Sequence, residues 1–179
     1  MHLKDLKNML NDMPEDSDDE IRNKLLISLY ILQPPLKITF DNIILYLKKP
    51  KMDINNYFIL RNKSWVLHIN TQPEKKIIKY NKIHNPEIYR LLKLSFDKRQ
   101  RLLLFDLNEE KLNDLFSNII RERLNYNVNI DDLIKIFVND LINSNYYKGM
   151  SSKQKEDTHK KIFGFTISKE YAKINLVEF

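Results

Sequence analysis

Asn129-Ile130-Asp131-Asp132-Leu133-Ile134-Lys135-Ile136-Phe137-Val138 reads as the opening turns of a buried helix. Asn129 can cap it by accepting from a first-turn amide, and Asp131 and Asp132 stand against the positive end of the helix dipole. Apolar residues at 130, 133, 134, 137, 138 and 141 repeat with the helical period, which turns Ile134 inward. Further along, Ser151 and Gln154 have the spacing of a capping box, predicting a polar helix to about Phe163. The stretch Phe163-Gly164-Phe165-Thr166-Ile167-Ser168-Lys169-Glu170-Tyr171 then brings a tyrosine onto a short last turn that Ser168 can cap.

Toward the N-terminus, Asn108 can cap a helix whose apolar positions are 112, 115, 116, 119, 120 and 124. Before it come an apolar run, Leu102 to Phe105, and a helical stretch from Pro86 to Phe96 with proline suited to the first turn. Three strand-like runs precede these: Tyr57 to Arg61, Trp65 to Asn70 and Lys75 to Asn81. The short polar breaks between them join antiparallel neighbours, so a three-stranded meander is expected. Phe40 to Leu47 reads as either helix or strand, with helix favoured. From Ile21, apolar residues at 21, 25, 26, 29, 30 and 32 form a helical stripe, with Asp18 or Asp19 as cap and Pro34-Pro35 as stop. Residues 1–19 hold an acidic cluster and little to bury beyond Leu3, Leu6, Met9 and Leu10, and are read as an acidic N-terminal arm or short helix followed by a linker.

The chain has 179 residues, 42% of them hydrophobic, which suffices for one packed domain over residues 20–179. No apolar run approaches the ~18 residues of a membrane span, and the first residues lack the apolar core of a signal peptide. A soluble, intracellular protein without membrane contact is expected. Cysteine is absent and the four histidines lack i,i+4 pairing, so no metal and no cofactor is expected. Two glycines leave no loop to cradle a nucleotide phosphate. The net charge of +6 suits a polyanion, yet Lys outnumbers Arg 23 to 7 and alanine occurs once, at Ala172. An AT-rich genome, such as that of a large DNA virus, imposes the same profile.

From about Glu20 to Ile174, the order of these elements resembles the catalytic domain of tyrosine recombinases, particularly the integrase-like forms of large DNA viruses and phages. That family has an opening helix, a phrase like L-Q-P-P-L-R, a three-stranded meander, a helical pair, a helix opened by H-x-L-R-H-x-F, and a late G-H-S-x-x-T-x-x-x-Y bearing the nucleophile. The fold the resemblance implies is α+β, mostly α. Leu32-Gln33-Pro34-Pro35-Leu36-Lys37 places Lys37 where the first arginine stands. The lysine of the sheet matches Asn70 or Thr71, unless a register shift restores Lys75 or Lys76. The first histidine or lysine of the later box matches Asp131, its arginine Ile134, and its second histidine Lys135. The late histidine or tryptophan matches Phe163, or Phe165 with a two-residue deletion, and His159 lies nearby. Tyr171 matches the nucleophile.

Attack of tyrosine on a phosphodiester builds charge that two arginines and a histidine stabilise while lysine protonates the leaving oxygen. Each lost donor reduces the rate by roughly 10²–10³. With Ile134 and Asp131 in that set, the expectation is a catalytically inactive recombinase-like domain, a pseudoenzyme acting as a DNA-binding or scaffold module. The nineteen residues before it are too few for the family's core-binding domain, so none is expected, and contact with double-stranded DNA should be weak and sequence-tolerant, through Lys75, Lys76, Lys79, Arg121 and Arg123.

Two other readings stand beside this one. A viral structural or interaction protein could reuse the fold without DNA, docking on other chains, in a virion or viral factory, through the alternating tail Ile174-Asn175-Leu176-Val177-Glu178-Phe179. An active strand-transfer enzyme could have a rearranged site built from Lys37, Lys75, Lys135, His159 and Tyr171. The pair Tyr146-Tyr147 reads as loop packing rather than base stacking.

Overall fold

The computed structural model describes residues 2–32, 43–46, 57–61, 64–72, 77–82, 85–99 and 105–163. It is an α+β structure, mostly α. Along the chain run α1 (Leu3–Asn11), α2 (Asp18–Ile31), β1 (Ile44–Tyr46), β2 (Tyr57–Arg61), β3 (Ser64–Gln72) and β4 (Ile77–Lys82). They are followed by α3 (Pro86–Arg99), α4 (Glu109–Leu124), α5 (Ile130–Asn143), α6 (Asn145–Lys148) and α7 (Ser152–Phe163).

Helix α2 is the centre of the packing. Ile21 and every residue from Lys24 to Ile31 are buried, so this helix has no solvated face along its second half. An all-round apolar surface suits a helix enclosed by others, and α1, α3 and α4 pack against it. Tyr30 meets Phe116 of α4 edge to face, with ring centroids 5.4 Å apart. The cap is Ser17 rather than Asp18 or Asp19. Its hydroxyl accepts from Glu20 N at 3.3 Å, while Ser17 N donates to the Glu20 carboxylate at 2.8 Å. The two aspartates fall inside the first turn, where their charge meets the dipole.

Residues 1–19 contain the short helix of the two alternatives, α1, and it is packed rather than a free acidic arm. Leu6, Met9 and Leu10 of α1, with Met13 beyond it, are buried in the same core as α2. The connection is fixed by Glu15, whose carboxylate takes two hydrogen bonds from the Arg90 guanidinium at 2.6 and 2.7 Å. It also pairs with the Lys24 ammonium at 2.8 Å. Lys24, its side chain only 9% exposed, donates to the Met13 carbonyl at 3.0 Å as well. A lysine inside an apolar helix face is tolerated because both partners come from the segment that α1 leads into.

The strands lie in the order β1-β2-β3-β4. β2 pairs with β3 and β3 with β4 antiparallel, the latter with a register slip between Asn70 and Gln72. β1 joins β2 in parallel, with Leu45 opposite Phe58, so the sheet carries a parallel pair that a three-stranded antiparallel meander lacks. The favoured helix over Phe40 to Leu47 is therefore replaced by a strand at Ile44–Tyr46. Its burial alternates, Leu45 inside and Ile44 and Tyr46 half-exposed, as a pleated edge requires. Tyr57, Phe58 and Ile59 are all buried, which marks β2 as covered on both faces.

Asn108 caps α4 by accepting from Lys111 N at 2.9 Å, and Asn125 closes it in the left-handed region at φ 58°. Ser151 and Gln154 form the expected box at the start of α7. Helix α6 has no counterpart in the sequence reading.

Replacing Glu15 by glutamine should lower stability by about 1–2 kcal/mol at neutral pH, less than for a fully enclosed pair because Arg90 is half-exposed. Arg90, then Lys24, hold the Glu15 carboxyl down from 4.5 to about 2. Its contribution is therefore complete above pH 4.5 and is lost as pH falls toward 2. Urea unfolding across that range should show the wild type converging on Glu15→Gln.

Candidate functional site

Helix α5 carries Asp131, Ile134 and Lys135, three positions that the resemblance assigns to a phosphate-handling site. Asn129 Oδ1 accepts from Asp132 N at 2.8 Å, which fixes the first turn. Leu133 and Ile136 face the main core, whereas Ile134 and Val138 are buried in a second apolar cluster flanked by Phe137, Leu141 and Ile142. The helix is thus clamped on two sides. Asp131 is exposed, and Lys135 is half-exposed with its ammonium 2.7 Å from Asp132 Oδ1. At this helix start the central position is a buried aliphatic side chain, and the groups nearer solvent are two carboxylates and a paired ammonium, a poor constellation for stabilising a phosphorane.

The remaining positions are spread over other elements. Asn70 lies in β3 opposite Ile78, beside the register slip, and Lys79 lies in β4 opposite Ile69. Phe163 is the last residue of α7. Arg121 and Arg123 are exposed in the last turn of α4, where cations complement the helix dipole. Arg121 donates to Asn118 Oδ1 at 2.8 Å. Arg123 borders an open groove of about 410 Å³ shared with Asp5, Asn8, Met9, Asp12 and Leu124. The Glu20 carboxyl is lowered, chiefly by the amide and hydroxyl of Ser17 and in smaller part by the charge of Arg123. Lys37, Lys75, Lys76, Phe165 and Tyr171 lie outside the described residues, as does the tail 174–179.

A titratable cluster outside those motifs sits at the corner between α6 and α7. Tyr147 Oη lies 2.7 Å from His159 Nε2, and the two rings are nearly parallel with centroids 5.4 Å apart. The Lys155 ammonium stands 5.1 Å from the centre of the Tyr147 ring. His159 is buried, and that burial pushes its imidazole below the usual value, against a weaker opposing effect of Glu156. Burial likewise raises the Tyr147 phenol. Both shifts favour the neutral forms, and the bond between phenol and imidazole ties α6 to α7. The tyrosine pair divides: Tyr147 packs as expected, while Tyr146 is 72% exposed. The serines that begin α6 and α7, Ser144 and Ser151, are the sequence signal that could have located this corner.

Among the described residues, no group of three His, Asp or Glu side chains could hold a metal ion. No helix among them is long and apolar enough to cross a membrane. No family model, no curated protein and no solved structure matches the chain.

The depressed imidazole supplies stability that is full above pH 6.5 and declines as pH falls toward its folded-state value. The His159 ring proton resonances should titrate with a midpoint below 6.5. Tyr147→Phe removes the hydrogen bond to Nε2 and should cost about 1 kcal/mol, read from urea midpoints at neutral pH.

Proposed function

We infer that the chain is a non-catalytic scaffold on the plan of a tyrosine recombinase catalytic domain, one that holds duplex DNA weakly and without sequence preference. The observation that carries this reading is Ile134: the position of the family's central arginine is 3% exposed inside an aliphatic cluster. A guanidinium there would have to leave that cluster to reach phosphate. Lys135, the neighbouring position, is tied to Asp132. Support for the plan itself is the element order, from a helix ending near Leu32, through three antiparallel neighbours in β2, β3 and β4, to the pair α3 and α4 and then α5. The parallel strand β1 is a departure from it.

Without two or more donors the transition state would be short of roughly 10⁴ or more in rate, at about 10²–10³ for each. What such a domain retains is its surface charge. The net +6 and the exposed Arg121 and Arg123 suit phosphate contacts, which are independent of base sequence.

A nicked suicide duplex should yield no covalent protein adduct. An adduct abolished by Tyr171→Phe would overturn the non-catalytic reading. Anisotropy with an unrelated duplex should show micromolar or weaker binding at ~50 mM salt that fades by ~200 mM, and charge reversal at Arg121 and Arg123 should weaken it several-fold. Absence of binding at the lower salt removes duplex DNA from the function. Ile134→Arg tests the site directly: it should destabilise the fold by on the order of 3–5 kcal/mol, as an unpaired buried charge does, without creating an adduct.

A further inference from the structure

Tyr146 is exposed while its neighbour Tyr147 is held by His159, and the exposed ring borders a second open groove of about 420 Å³. Gly149, Met150, Gln154, Asp157 and Thr158 complete its lining. We propose that this corner binds an unpaired guanine, with the base stacked on Tyr146 and its pairing edge read by Gln154 and Asp157. The inference does not depend on the duplex-binding reading.

The chemistry of the lining selects the ligand. Gln154 Oε1 already accepts from Ser151 N at 2.8 Å, so the side chain presents its amide nitrogen as a donor. Asp157, one turn further along α7, is exposed and has no hydrogen bond or ion pair among the described residues. Donor and two-oxygen acceptor three residues apart share one helix face. Guanine offers the complementary order: O6 accepts, and N1–H and N2–H donate side by side to both carboxylate oxygens. Adenine and cytosine each place a single exocyclic donor on that edge, and thymine only N3–H.

The ring face is indifferent to which base stacks, so it supplies affinity while the α7 pair supplies choice. Lys148 and Lys153 are exposed on the same two helices, Lys153 one turn before Asp157, and give the backbone phosphates of a single strand a cationic flank. Met150 and Gly149 leave the floor of the groove free of further charge. The volume lies in the range of sites that hold a small planar ligand. Tyr147, stacked on His159 behind this surface, fixes the short helix from which Tyr146 projects.

The test is anisotropy of a labelled oligothymidylate with and without a single guanine, at ~50 mM salt. The guanine-bearing strand should bind roughly tenfold more tightly. Tyr146→Ala should weaken both strands about tenfold, whereas Tyr146→Trp retains binding. Asp157→Asn should erase the difference between the strands while leaving binding of the plain one. Since Tyr146 and Asp157 are both exposed, neither change removes core packing. Equal affinity of wild type and Tyr146→Ala, or no binding of either strand, overturns the proposal. Guanosine monophosphate that displaces the strand assigns the site to the free nucleotide as well; failure to displace assigns it to the strand. Arg121 and Arg123 charge reversals serve as the separate arm, since they should affect duplex binding and leave the guanine preference in place.

Discussion

Everything in the helical part of this fold depends on enclosing α2, and enclosing α2 means burying the Lys24 ammonium. A helix with Leu25, Leu26, Ile27 and Leu29 to Ile31 inside can be covered only if the charge among them is met. Glu15 and the Met13 carbonyl meet it, and both belong to the stretch that brings α1 onto the core. Arg90 reaches the same carboxylate from α3 and is steadied in turn by Glu87. One carboxylate thus couples three helices, and the Arg90 and Glu15 side chains that meet there are 75 residues apart in sequence. Loss of this contact would leave a buried cation without its counter-ion, which costs more than loss of a surface pair.

Much of the local structure was legible because capping chemistry is short-range. Asn108, Asn129 and the Ser151/Gln154 pair each begin a helix as their spacing requires. The N-terminus of α2 was misassigned by one or two residues because Asp and Ser cap almost equally well. Glu20, three residues after Ser17, decides between them by returning a hydrogen bond to the Ser17 amide. The docking of the N-terminal segment was illegible for a different reason. Its acidity looked like solvation, and nothing local in Glu15 announces a partner on α3. Strand β1 was equally illegible, since three residues acquire their pleat only from Tyr57, Phe58 and Ile59 beside them.

The candidate sites divide along the same line. The inward face of α5 follows from periodicity, so the burial of Ile134 was visible in the sequence. The second apolar cluster was not, because a stripe cannot reveal that its two edges face different surroundings. The corner of α6 and α7 combines residues twelve apart whose pairing depends on a short helix that no periodic pattern predicts. There the functional reading changes with one bond: an aromatic pair that looks uniform in sequence becomes one structural ring and one available ring.

The setting of Lys24 also governs its reactivity. A side-chain nitrogen held by a carboxylate and a carbonyl, and nearly closed off from water, is out of reach of an acylating reagent. Exposed amines such as Lys148 and Lys153 carry no such protection. Amine-modifying chemistry applied to the folded chain would therefore leave a blank at Lys24, and the appearance of label there would report that α1 has lifted away before the rest of the molecule has come apart.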